Sequence, residues 1–184
     1  VCPKAKERAR ENVVCPNVVC PNLNIKAIIH LADLHIRSGD MSRSKYEQYE
    51  NTFTNLISQI SQEEHIKTGE CITVIAGDIF HYKNEADSTG IKLFNYLIGG
   101  LAKLCPVLLI QGNHDYKQGK IEEPDILSSL FYNNERNNVY YLDKTANYIV
   151  GNVGIGVISV KDSLDPMSNC GRKESLPEYK ANFP

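Results

Sequence analysis

Cys71-Ile72-Thr73-Val74-Ile75-Ala76-Gly77-Asp78 is an apolar run that stops at a glycine and a carboxylate. A short, continuous stretch of β-branched and apolar residues is the signature of a strand buried on both faces. The same arrangement recurs on either side. Ala27-Ile28-Ile29-His30-Leu31 ends in Ala32-Asp33-Leu34-His35, and Val107-Leu108-Leu109-Ile110 runs into Gln111-Gly112-Asn113-His114-Asp115. Between the first two runs, Tyr46, Tyr49, Phe53, Leu56, Ile57 and Ile60 recur at helical spacing behind Ser42 or Ser44 as an N-cap. Between the second and third, Ile91, Phe94, Leu97, Ile98, Leu101 and Leu104 fall on one face of a second helix. Strands alternating with helices of this length imply βαβ crossovers, hence an α/β fold with a mainly parallel sheet and helices on both faces.

Further along, Ile126 to Phe131 reads as a short helix. Val139 to Leu142, Tyr148 to Val150 and Val153 to Val160 read as strands with little helix between them, so the later part is expected to add a second, more meandering sheet. At the other end, the tandem Val14-Cys15-Pro16-Asn17 and Val19-Cys20-Pro21-Asn22 is punctuated by prolines that no regular helix or central strand accepts. Residues 1–24 are therefore expected to be a flexible extension and residues 25–184 the folded domain.

A chain of 184 residues with 42% hydrophobic and 23% charged residues has the balance of a soluble globular domain. No apolar run approaches the roughly 20 residues that cross a bilayer. The opening stretch carries Lys4, Lys6, Arg8 and Arg10 but no apolar core or cleavage site of a secretory signal, so an intracellular setting is expected, in cytoplasm or nucleus. A formal net charge of −2 offers no global attraction to nucleic acid, so any such contact depends on a local basic patch or bound cations. The cysteines lack the close paired spacing of a zinc site and read as reduced thiols, with Cys71 and Cys105 beside apolar strands.

The chemistry lies at the strand ends. In open α/β sheets ligands bind beyond the carboxyl ends of the strands, so Asp33 and His35, then Asp78, then Asn113 and His114 should converge on one edge. The spacing Asp33-x-His35 would project both side chains to one side of an extended segment. Taken singly each group has a plainer reading as a surface turn; in order, each at a strand end, they point to a metal site. Mixed carboxylate, imidazole and amide donors suit manganese, iron or zinc, with manganese the first choice. Two such ions about 3.5–4 Å apart activate water and clamp a phosphate in line. His30, inside the first strand, reads as core packing and His65, at a helix end, as solvent-exposed.

Asp33-x-His35, Gly77-Asp78-x-x-His81 and Gly112-Asn113-His114-Asp115 resemble the first three motifs of calcineurin-like metallophosphoesterases, over roughly residues 26–160. Gly77-Asp78-Ile79-Phe80-His81 followed by a helix, with Asp125-Ile126-Leu127 shortly after the third motif, resembles the SbcD-like exonuclease branch, the nuclease of DNA double-strand-break repair. The resemblance implies that Asp33 and His35 hold a first ion, Asp78 bridges and Asn113 holds a second, with His114 as general acid or phosphate contact and His81 as a nearby active-site histidine. It also implies DNA as substrate, an SMC-like coiled-coil ATPase as partner and a homodimer. Such proteins supply further histidine ligands after the third motif. None follows His114 here, so the chain is expected to be the amino-terminal portion of the domain. A phosphoesterase acting on phosphoproteins or small phosphodiesters, and a truncated non-catalytic interaction module, are the alternative readings.

Overall fold

The computed structural model describes residues 18–20, 22–37, 39, 41–83, 85–116, 124–131 and 138–161. Four strands form a fully parallel sheet in the order β2 (Ala27–Leu31), β3 (Cys71–Ala76), β4 (Val107–Ile110), β5 (Val139–Tyr141), with Ile29 opposite Thr73 and Ile75 opposite Leu109. The connections are helical: α1 (Arg43–Ile60) and the single turn α2 (Glu64–Lys67) join β2 to β3, α3 (Ser88–Ala102) joins β3 to β4, and α4 (Ile126–Phe131) joins β4 to β5. Parallel neighbours need such crossovers because a tight turn cannot reverse the chain between them. Three strands form the second sheet in the order β1 (Val18–Val19), β6 (Ala146–Val150), β7 (Val153–Val157).

The helices begin where side chains satisfy their free N–H groups. Ser42 Oγ accepts from Lys45 N at 3.3 Å at the head of α1, and Asp87 Oδ1 accepts from Gly90 N at 2.8 Å at the head of α3. From α3, Leu93, Phe94, Leu97, Ile98 and Leu101 are fully buried, each worth roughly 1.5–3 kcal/mol on burial. They join Phe53 and Ile60 of α1, Ile66 of α2, Leu127 of α4 and Ile75 and Leu109 of the sheet in one core.

On the opposite face Ile72, Val74 and Leu108 meet Tyr148, Val150 and Val157 of the second sheet. The expectation of helices on both faces thus holds for one face only, because the other is covered by the meandering sheet foreseen for the later part. Of the three late strands, β5 belongs to the main sheet, and the last ends at Val157 rather than Val160.

Two further expectations need correction. Val18 and Val19 pair in parallel with Ile149 and Val150, so the folded body reaches back beyond the boundary drawn at residue 24; residues 1–17 lie outside the described residues. His30 is exposed rather than packed in the core, because β2 is an edge strand whose outer face the three-stranded second sheet does not reach. His65 is half-exposed, with a side-chain relative exposure of 43%. Cys20, Cys71 and Cys105, the described cysteines, are free thiols. No described helix is long and apolar enough to cross a membrane.

Candidate metal centre

The three motif-bearing strands are adjacent and parallel, so their carboxyl ends lie on one edge, and the backbone there is knitted together. Asp33 N donates to Gly77 O at 3.2 Å, His35 N to Asp78 O at 2.9 Å and Ile36 N to Ile79 O at 2.9 Å. Asp33, His35 and Asp78 each offer a ligand atom, and the three atoms lie within 4.8 Å of one another. His35 Nε2 is 3.8 Å from Asp33 Oδ1 and 4.0 Å from Asp78 Oδ2.

The local conformation differs from the extended one expected. Asp33, His35 and Asp78 have φ of 55°, 44° and 51°, three of only five described non-glycine residues in the left-handed region. Such conformations cost on the order of 1–3 kcal/mol each and gather where the surrounding structure imposes them for function. Left-handed backbone at both residues, in a segment that still runs parallel to residues 77–80, accompanies the approach of Asp33 and His35 to one another, where regular strand alternation was expected.

Two glycines make room for it. Gly77 has φ 84°, and a Cβ there would stand 2.8 Å from Gly112 Cα. A Cβ on Gly112 would run into the backbone nitrogen and Oδ1 of Asp78. The strand ends approach as closely as two bare backbones permit.

His114 reaches the cluster from the third motif. Its N–H donates to Asp78 Oδ1 at 3.0 Å, and its ring lies 4.9 Å from that of His35, edge to face. His114 Nδ1 is 2.6 Å from the carbonyl oxygen of His81. A carbonyl can only accept, so Nδ1 carries the hydrogen and Nε2 is the nitrogen left to exchange a proton with a ligand. His81 completes the group, its ring 5.6 Å from His35 and 6.2 Å from His114. Partial burial, then the positive charge of Arg37 and the neighbouring rings of His35 and His114, hold the His81 imidazole below the usual histidine range. Asn113 stands exposed between Gly112 and His114, the two residues of its loop that touch Asp78.

Sequence reading assigned no role to Asp115, which turns out to close the loop. It is fully buried, and its carboxylate accepts N–H from Gly112 at 2.9 Å, Phe80 at 3.0 Å and Ile79 at 3.2 Å. Burial pushes this carboxyl up, the three donated bonds draw it back, and nearby Asp78 adds to the upward push; the balance stays above the ordinary value. Nothing in the spacing of Gly112-Asn113-His114-Asp115 separates a buried, loop-closing aspartate from an exposed one.

Asp125 is likewise scaffolding. It accepts from Ser128 N at 2.7 Å at the head of α4 and pairs with Lys161 Nζ at 2.6 Å, and the Tyr141 hydroxyl lies between it and Gln111 Oε1 at 2.9 and 2.8 Å. The residue just before the third motif is thereby anchored from β5 and α4. Tyr49 of α1 also reaches the site, donating its hydroxyl to His35 O at 3.0 Å.

These donors fit a divalent cation. Among the described residues His35 is the only ion-pair partner of Asp33 and Asp78, and His35 Nδ1 is buried with no hydrogen-bond partner. Two carboxylates with no Lys or Arg partner among the described residues, beside an imidazole that is not fully bonded, make a hard-to-borderline, oxygen- and nitrogen-rich set, suited to a first-row metal and free of thiolate.

The parallel sheet thus brings Asp33, His35 and Asp78 together from two adjacent strand ends as a candidate metal site, with His114 from the third beside them. The chain belongs to the calcineurin-like phosphoesterase family, whose profile matches residues 26–177. It is also 31% identical over 137 residues to "Uncharacterized protein R555" of Acanthamoeba polyphaga mimivirus, an alignment covering 74% of this chain and 10% of that protein. The chain therefore spans about a tenth of that relative's length.

Proposed function

We propose that this chain carries the metal-binding edge of a phosphodiesterase that cleaves DNA, in the manner of double-strand-break repair nucleases. The observation that carries the reading is the meeting of Asp33, His35 and Asp78 within 4.8 Å, with His114 bonded to Asp78. Asp33 and His35 would hold one manganese ion, Asp78 would bridge and Asn113 would hold a second. When bound, such ions supply a water of lowered pKa and a positive clamp on the phosphate. The chain's own groups do the rest. His114, its Nδ1–H held by the His81 carbonyl, presents Nε2 to the substrate; in the doubly protonated ring that nitrogen carries the second proton, which it gives to the leaving oxygen or shares with a phosphate oxygen. His81, biased toward its neutral form, contacts the substrate as a hydrogen-bonding group. An SMC-like ATPase partner and a homodimer belong to the same proposal.

Manganese titration of the chain, followed through the paramagnetic resonance signal of the free ion, tests the metal assignment. Uptake by this segment should be weak, and Asp78→Asn should abolish it. For activity, a labelled duplex and a small phosphodiester are given to the longest form of the protein that carries this segment. Manganese-dependent cleavage of the duplex that is lost in Asp78→Asn and His114→Ala is the expected result. Hydrolysis of the small ester with the duplex untouched would move the assignment to a small-molecule or phosphoprotein esterase.

A further inference from the structure

Beside the ligand cluster stands an aromatic ring that metal chemistry does not use. Tyr82 is 49% exposed, and its ring lies edge-on to His81 with centroids 5.0 Å apart and planes at 78°. Since His81 is itself 5.6 Å from His35, one imidazole separates the Tyr82 ring from the metal-binding side chains. Single exposed apolar residues are ordinary on protein surfaces, and the comparison with Tyr96 is instructive. Tyr96, 41% exposed, places its hydroxyl 2.7 Å from Thr54 Oγ1 and so helps join α3 to α1. Among the described residues, Tyr82 has no hydrogen bond through its hydroxyl and no ring neighbour besides His81. Its backbone is nonetheless fixed, because Tyr82 O accepts from Glu85 N at 3.3 Å in an isolated bridge and His81 N donates to Ile36 O at 3.0 Å.

That last bond brings a second group to the same rim. Arg37 follows Ile36, is exposed and has no acidic partner among the described residues; its charge is felt by the His81 imidazole. A flat apolar ring and a guanidinium with no acidic partner among the described residues, next to a phosphate-cleaving centre, are more than a simple phosphate monoester needs. A base offers a π-face whatever its identity, and a polynucleotide offers further phosphates to a cation.

We propose that Tyr82 and Arg37 form a substrate-recognition rim, with Tyr82 stacking on an unpaired base and Arg37 meeting a phosphate of a nucleic-acid strand held at Asp33, His35 and Asp78. This rests on the phosphoesterase reading above and narrows its substrate to a strand with an accessible, unstacked base. Tyr82 is then a specificity determinant, acting on affinity for the strand rather than on the metal.

The test compares binding of a deoxythymidine decamer with binding of inorganic phosphate, both in millimolar manganese, for the wild-type chain and its Tyr82→Phe, Tyr82→Ala and Arg37→Gln variants. Tyr82→Phe keeps the ring face and should bind the decamer as wild type does. Tyr82→Ala should bind it roughly 5- to 150-fold more weakly, the range that loss of one stacked base produces. Manganese and phosphate affinities should be the same in both variants, and circular dichroism should show an intact fold. Arg37→Gln should flatten the salt dependence of decamer binding. A Tyr82→Ala chain that binds the decamer like wild type, or that loses phosphate and decamer equally, overturns the inference. A wild-type chain that takes up manganese and phosphate but not the decamer overturns it while leaving the phosphoesterase reading standing. One that takes up no manganese overturns both.

Discussion

Gly112→Ala adds one methyl group at the point where the second and third motifs touch. An ideal Cβ there collides with the Asp78 backbone nitrogen and Oδ1 and comes within 2.9 Å of its carboxyl carbon. Backbone cannot swing aside as the tip of a long side chain does, so either strand end must shift. Two bonds are disturbed together: Gly112 N–H to Asp115 Oδ2 at 2.9 Å and His114 N–H to Asp78 Oδ1 at 3.0 Å. Overpacking of this kind costs roughly 1–3 kcal/mol. At ~2–4 °C per kcal/mol for a chain of this size, the variant should melt about 2–12 °C below wild type. Displacement of Asp78 should also weaken manganese binding by about 10- to 100-fold, as loss of supporting contacts around a ligand does. Gly99→Ala is the control. Gly99 lies within α3 with no atom within 4 Å of the added carbon, so the same chemical change should stabilise the chain by about 0.5–1 kcal/mol. Thermal melts by circular dichroism and a manganese titration read both effects. A Gly112→Ala protein that melts and binds manganese like wild type, next to a Gly99→Ala control that behaves as stated, would refute the reasoning.

Asp33→Gly relieves a left-handed aspartate at φ 55° whose side chain is 73% exposed; without metal the variant should melt at or above the wild-type temperature, yet lose the rise that manganese gives wild type. Burial pushes the Asp125 carboxyl up, but its bonds to Lys161 and Ser128 outweigh this and hold it below the usual carboxylate range. A lowered folded-state value means stability that is present above the ordinary aspartate pKa of about 3.9 and lost as pH falls through the lowered one. Lys161→Met leaves that carboxylate buried without its cation. The variant should lose roughly 3–5 kcal/mol at neutral pH in urea melts, with the gap to wild type narrowing as the solution is acidified toward about pH 4; a constant gap would count against the ion pair as the cause. Burial, and then the neighbouring Cys105, push the Cys71 thiol up to about 11, and burial also raises Cys105. Both should resist maleimide at pH 8 in the native chain and react on denaturation, as mapped by mass spectrometry; rapid native labelling of either would contradict this packing.

The central strands β3 and β4 were legible because they are buried on both faces and therefore almost uniformly apolar, and the edge strand β2 because its run is still mostly apolar. The three runs ending at Leu31, Ala76 and Ile110 coincide with β2, β3 and β4 to the residue. A serine cap for α1 was legible, since a hydroxyl ahead of an apolar periodicity answers a local need for a hydrogen-bond acceptor, but only the structure chose Ser42 over Ser44. Elements whose pairing is remote were not. Val18 and Val19 form a strand only because Ile149 and Val150 lie alongside, and the two-residue segment carries no periodicity of its own. The exposure of His30 depends on how far the second sheet extends, which no local pattern records.

For the site, sequence alone determined which residue types stand at which strand ends, and parallel topology then obliges those ends to share an edge. Only tertiary structure decided how they meet. The left-handed backbone at Asp33, His35 and Asp78, the contact of Gly77 with Gly112 and the buried Asp115 that ties two loops all involve segments separated by about 30–50 residues. Local propensity specifies elements, because hydrogen bonding and burial within a strand or helix depend on near neighbours. The position of a carboxylate oxygen relative to a distant imidazole depends on the packing of every element between them.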